Sequence, residues 1–168
     1  MTASSKPQTP TSAVMKTYGR ADLSFVRGEG CWLITEGDER YLDCASGIAV
    51  NTLGHSHPAL VEALRDQAGR LWHTSNLYRI PGQERVAAKL AELTGLDQVY
   101  FCNSGAEANE SAVKIARRAA HERGETDRMT ILCATGSFHG RTLGMLAATD
   151  KPANRTAVSY THLRAHET

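Results

Sequence analysis

An α/β fold is what this sequence predicts, on three observations. Short β-forming runs broken by glycines open the chain, two amphipathic helical stretches follow, and buried-type apolar runs then alternate with helices. Of the 168 residues, 41% are hydrophobic and 22% charged, as in a folded globular protein and unlike a disordered one. Nineteen Lys plus Arg against eighteen Asp plus Glu leave a net charge of +1, so charge gives no reason to expect a nucleic-acid or polyanion partner. No apolar run approaches the roughly 18 residues of a membrane span. Residues 1–17, rich in Ser, Thr and Pro and lacking an apolar signal core, read as a flexible arm of a cytoplasmic protein.

The elements follow in order. Residues 18–54 form the first segment. In it Ser24–Arg27, Cys31–Ile34 and Arg40–Asp43 are β-forming runs separated by Gly-containing breaks, the pattern of a meander of hairpins. Ala45–Gly54 reads as a loop. Residues 55–157 form the second segment. Pro58 opens a helix whose Leu60, Val61, Leu64, Ala68, Leu71 and Trp72 make one buried stripe. Pro81 opens another, with Val86, Ala87, Leu90, Ala91 and Leu93 on its apolar face and Gly95 as its C-terminal cap. Gln98–Cys102 and Met129–Ala134 are strand-type runs. Between them a helix from about Ala106 to Arg123 buries Ala112, Val113, Ala116 and Ala120, leaving Arg117, Arg118 and Arg123 for solvent and the helix dipole. This strand–helix–strand order implies a right-handed βαβ unit with parallel pairing, and a further helix starts at Thr142.

Two features bound the chemistry. Cys31, Cys44, Cys102 and Cys133 show no CxxC or Cys/His spacing, so reduced, mostly buried thiols and no zinc site are expected. Residues 158–168, VSYTHLRAHET, resemble the translation of a transposase sequencing-library adapter, which leaves 157 residues of natural coding sequence. His162 and His166, four apart in that tail, are therefore not taken as a metal pair.

Phe101–Glu110, FCNSGAEANE, places a small-residue turn between a strand and a helix. The N–H groups of a helix N-terminus bind phosphate readily, Gly105 and Ala106 leave the backbone open, and Ser104 can cap the helix or donate its hydroxyl. An ordinary capped turn accounts for the same residues equally well. Glu107 suits the helix dipole and is expected to point away from any bound anion. Gly136–Arg141, GSFHGR, again follows a strand, on the sheet edge where ligands collect in α/β folds. Phe138 could stack on a planar ring, and Arg141 could hold a carboxylate bidentately. His55 and His57 have an HxH spacing, but without a nearby carboxylate or cysteine a loop histidine bonded to backbone is the plainer reading. Ser137 and His139 lie too close in sequence to read as a nucleophile–base pair.

Four segments in order, GIAVNTLGHSHP (Gly47–Pro58), HTSNLY (His73–Tyr78), NSGAEANE (Asn103–Glu110) and FHGRT (Phe138–Thr142), resemble the N-terminal part of the class III, pyridoxal-phosphate-dependent aminotransferases. The resemblance runs from about Tyr18 to Asp150 and is strongest to the acetylornithine branch. It implies a partial fold type I architecture: a β-meander associated with the small domain (18–54), then the first part of the large, mostly parallel α/β domain (55–157). It implies pyridoxal phosphate as cofactor, held by Ser104, Gly105 and Ala106 with Phe138 stacked on its ring, and Arg141 on the substrate carboxylate. It also implies a homodimer, with Tyr78 reaching towards the partner's site, and a full-length enzyme moving the terminal amino group of N-acetylornithine to 2-oxoglutarate in arginine biosynthesis. Ornithine, succinylornithine, succinyldiaminopimelate and 4-aminobutyrate remain open as amino donors.

In that family the cofactor-bearing lysine and the aspartate pairing the pyridinium lie downstream of the Phe138 motif. Lys6, Lys16, Lys89, Lys114 and Lys151 are the only lysines here. None stands in place of that lysine; Lys114 reads as a helix ion pair with Glu110. The chain is therefore expected not to transaminate. The alternative is a complete, non-catalytic phosphate-ligand or interaction module.

Overall fold

The structure, a computed structural model, describes residues 12–156, 158 and 166–167. Most of the arm (1–11) and most of the terminal tail, including His162, lie outside the described residues. The chain forms two compact units, Met1–Tyr78 and Arg79–Thr168.

In the first unit β1 (Phe25–Glu29), β2 (Trp32–Thr35) and β3 (Arg40–Leu42) make an antiparallel sheet in that order. The meander expected from the glycine breaks is present. Gly30, with φ of 55°, turns the first hairpin, and Asp38, with φ of 62°, turns the second. The register shifts between Phe25 and Arg27, leaving Val26 as the extra residue of a bulge. Phe25 and Tyr41 meet edge to face at 5.5 Å, Arg40 lies 4.7 Å over the Trp32 ring, and Ile34 is the buried centre.

The loop after β3 is tied to this sheet. Gly30 and His55 form an antiparallel bridge, with N–H to O distances of 3.0 and 2.7 Å. Within the loop, α1 (Ser46–Ala49) is a single turn wound in the left-handed sense, with φ of 48°, 62°, 66° and 60° from Ser46 to Ala49. Such a turn crowds each Cβ against a carbonyl oxygen and is costly for any residue but glycine. α2 (Pro58–Ala68) starts at its proline as expected. Its stripe is not buried, however: Leu64 is 71% and Trp72 85% exposed. The periodicity marks the face that could be covered, but the described residues supply no cover for it.

The second unit begins with α3 (Pro81–Thr94), closed by Gly95 in the left-handed conformation, φ 71°. Val86, Leu90 and Leu93 are again exposed. Residues 98–102 do not form the expected strand, and no strand beside them among the described residues offers a ladder of hydrogen bonds. α4 (Gly105–Glu122) is the long helix, followed by β4 (Leu132–Cys133), α5 (Leu143–Ala147) and α6 (Pro152–Arg155). β4 pairs in parallel with β5 (His166–Glu167), so the parallel pairing joins other residues than the βαβ reading expects.

The core of this unit is Met145–Thr149, with Ala120 and Cys133 also buried. α4 packs on α5 through only part of the face chosen by apolarity: Val113 and Ala120 are covered, whereas Ala112 and Ala116 are exposed. The covered residues include Ala106, Asn109, Glu110, Ser111, Val113, Arg117 and Ala120, and four of these seven are polar. Arg117 does not face solvent; its guanidinium donates twice to Met129 O, at 3.0 and 2.8 Å. Just past α4, the Arg123 and Arg128 guanidiniums hold the Glu125 carboxyl at about 2. Among the cysteines only Cys133 is buried, contrary to expectation. No helix among the described residues is long and apolar enough to cross a membrane.

Candidate functional site

The turn before α4 is built as a reciprocal cap. Ser104 is extended, and its Oγ accepts the Glu107 N–H at 3.2 Å. Glu107 folds back to accept the Asn103 N–H at 2.7 Å and lies 3.3 Å from the Ser104 hydroxyl. This is a variant of the S-x-x-E capping box, in which the carboxylate takes the N–H of the residue before the N-cap. Of the two roles open to Ser104, the structure shows the cap. The Glu107 carboxylate stays on the Asn103 side of the turn. The N–H groups of Gly105 and Ala106 meet no acceptor among the described residues. A Cβ added to Gly105 would meet no atom within 4 Å, so an incoming group has room to approach.

The second loop is drawn onto this helix end. Gly140 has φ of 132°, and a Cβ there would lie 2.6 Å from the Ala106 Cβ, so only glycine allows the approach. Asn109 Nδ2 donates to His139 O at 2.8 Å. The Thr142 hydroxyl donates to Glu110 Oε1 at 2.5 Å while accepting the Met145 N–H, so it joins α4 to the start of α5. Gly144 is fixed by the same carboxylate, since a Cβ would stand 2.7 Å from Glu110 Oε1.

Behind the loop, the fully buried Thr149 hydroxyl accepts the His139 N–H at 2.9 Å and faces the carbonyls of Met145 and Gly140 at 2.9 and 3.1 Å. His139 Nδ1 donates to Ala148 O at 2.8 Å, which ties the half-buried ring to the scaffold. Gly136 N–H donates to Asp150 Oδ2 at 2.7 Å. Phe138 and Arg141 point outward from this scaffold, both exposed, with the guanidinium carbon 5.8 Å from the phenyl centroid.

Ser104, Gly105, Ala106, Phe138 and Arg141 thus belong to two loops that meet at the first turns of α4, rather than along a sheet edge. Asn109, Glu110 and Thr149 escaped the sequence reading. Their signal was positional, because 106, 109 and 110 share one helical face. Glu110 does not pair with Lys114, as the i, i+4 rule suggests; it turns to Thr142 instead.

Among the described residues, His55 and His57 belong to no group of three or more His, Cys, Asp or Glu side chains that could hold a metal ion. His55 Nε2 lies 2.7 Å from Asp43 Oδ2, a carboxylate twelve residues upstream that the local reading overlooked. Asp43 Oδ1 also accepts the Ala45 and Ser46 N–H groups at 3.0 and 2.8 Å. The His55 bond and then the Ser46 N–H hold the Asp43 carboxyl below its ordinary value. His57 Nδ1 is buried and finds no partner.

Comparison with known proteins identifies the family. The model of the aminotransferase class-III family matches residues 14–164. The chain is 56% identical over 132 residues to acetylornithine aminotransferase of Agrobacterium fabrum, covering 79% of this chain and 33% of that protein. It is 58% identical over 132 residues to that of Brucella melitensis, covering 79% and 33%. The chain thus spans about a third of the length of the curated relatives it matches. Among solved structures, N-acetylornithine aminotransferase from Stenotrophomonas maltophilia is 39% identical with a TM-score of 0.67, over 72% of this chain and 34% of that one. Ornithine aminotransferase from Toxoplasma gondii superposes with a TM-score of 0.86 at 26% identity, over 93% and 37%. By motif order, fold and similarity, this chain belongs to the class-III aminotransferases and carries part of their fold type I architecture.

Proposed function

We propose that this chain is part of a pyridoxal-phosphate-dependent transaminase that acts on N-acetylornithine and 2-oxoglutarate in arginine biosynthesis, as a cytoplasmic homodimer when full length. The observation that carries the cofactor reading is the pair of unaccepted N–H groups at Gly105 and Ala106, beside open space and next to the Phe138–Arg141 loop. That arrangement fits a phosphate joined to a flat ring. The names of its relatives support the acetylornithine reading.

In this proposal Gly105 and Ala106 donate to the phosphate, with Ser104, which caps the turn, beside them. Phe138 stacks on the ring and Arg141 takes the substrate carboxylate. The cofactor, when bound, supplies the electron sink for amino-group transfer. In this proposal none of the described lysines supplies its attachment, Lys16 included, which is exposed before β1. Lys89 is bonded to Glu92 at 2.9 Å on the surface of α3, Lys114 is exposed on α4, and Lys151 stands before α6.

The test is to titrate the chain with pyridoxal phosphate and then reduce with borohydride. The expected outcome is binding that pyridoxal without its phosphate does not reproduce, with no stoichiometric adduct at a single lysine by mass spectrometry. Equal binding of pyridoxal overturns the phosphate assignment, and a single-site adduct overturns the claim of inactivity.

A further inference from the structure

We propose that Glu110 and Asn109 are positioning residues that set the distance between the phosphate turn and the ring-and-carboxylate loop. The proposal deepens, and rests on, the pyridoxal phosphate reading. Three contacts fasten the 138–142 loop to one face of α4: Gly140 against Ala106, His139 O to Asn109, and Thr142 to Glu110.

That face belongs to the same helix whose first N–H groups are assigned to the phosphate. A rigid helix therefore carries both halves of the site, and neither half depends on a flexible loop for its distance from the other. The Glu110 carboxylate shows the specialisation. It is half-buried, and it engages a threonine hydroxyl although Lys114 stands one helical turn away. A Cβ at Gly144 would stand 2.7 Å from its Oε1, so a side chain there would push the carboxylate from its place. Loss of this carboxylate would leave the Ser104–Glu107 cap and the Gly105 and Ala106 N–H groups intact. It would release the loop that bears Phe138 and Arg141.

The experiment compares two probes on this chain. Deoxypyridoxine phosphate has both ring and phosphate but no aldehyde to react with lysines; inorganic phosphate needs only the turn. Glu110→Ala is expected to weaken deoxypyridoxine phosphate by about tenfold, as for loss of one hydrogen bond to a charged group, and to leave phosphate affinity unchanged. Glu110→Gln keeps an acceptor for Thr142 and is expected to restore the wild-type ratio. Asn109→Asp, which replaces the donor to His139 O by an acceptor, is expected to behave like Glu110→Ala. Helix content by circular dichroism identifies any variant that has lost α4. Unchanged deoxypyridoxine phosphate affinity in Glu110→Ala, equal loss of both probes, or no recovery in Glu110→Gln overturns the positioning role. A wild-type chain that binds neither probe overturns the cofactor reading instead, and the proposal with it.

Discussion

Asp43 shows how much one side chain can organise. Its two oxygens take the His55 ring and two backbone N–H groups, and this fastens the loop after β3 against the sheet. Because its carboxyl is held below the ordinary value of about 3.9, the bonds add stability that is complete above that value. That stability fades as pH falls through the depressed folded value. Asp43→Asn is therefore expected to weaken the first unit at neutral pH and to flatten its acid limb, read from urea midpoints across a pH series. An acid limb as steep as wild type would refute the assignment. At this scale the sequence was legible where local geometry dictates the residue. Pro58 and Pro81 begin their helices, and Gly95 ends one with a positive φ. It was illegible where the partner is remote. Nothing near His55 announces Asp43, and nothing near Glu110 announces Thr142, thirty-two residues away.

At the scale of elements, α4 is the best-specified helix. It is the only one of the three long helices among the described residues whose N-cap side chain bonds the backbone. Ser104→Ala is expected to cost about 0.5–2 kcal/mol of stability by denaturant unfolding, the usual range for loss of such a cap. Glycine at the same position is expected to cost only a few tenths of a kcal/mol, about the known difference between the two replacements. A larger loss for glycine than for alanine would contradict a capping role. The extent of α4 was readable from periodicity and its flanking turns. Its packed face was not, because Asn109, Glu110 and Arg117 lie inward and are satisfied by a carbonyl, a hydroxyl and a carbonyl. Apolarity alone selects only part of the face when polar groups are paired. The strand expected at 98–102 failed for a related reason. A β-forming run specifies only willingness to pair, and the partner is a property of the tertiary structure.

For the molecule as a whole, the dominant fact is apolar surface left uncovered. Leu64, Trp72, Leu77 and Leu93 are 71%, 85%, 87% and 69% exposed. Surfaces of this kind are interaction faces or liabilities. The chain is expected to self-associate at micromolar concentration, by sedimentation velocity, and Leu64→Glu with Trp72→Glu is expected to shift it towards monomer. A monodisperse wild-type monomer would show that these side chains are covered in solution. The meander has a consequence in time. Its hairpins close over two and four residues. Contacts between residues so near in sequence form early, since little loop-closure entropy opposes them. During synthesis the meander can therefore form while the ribosome is still making the rest of the chain.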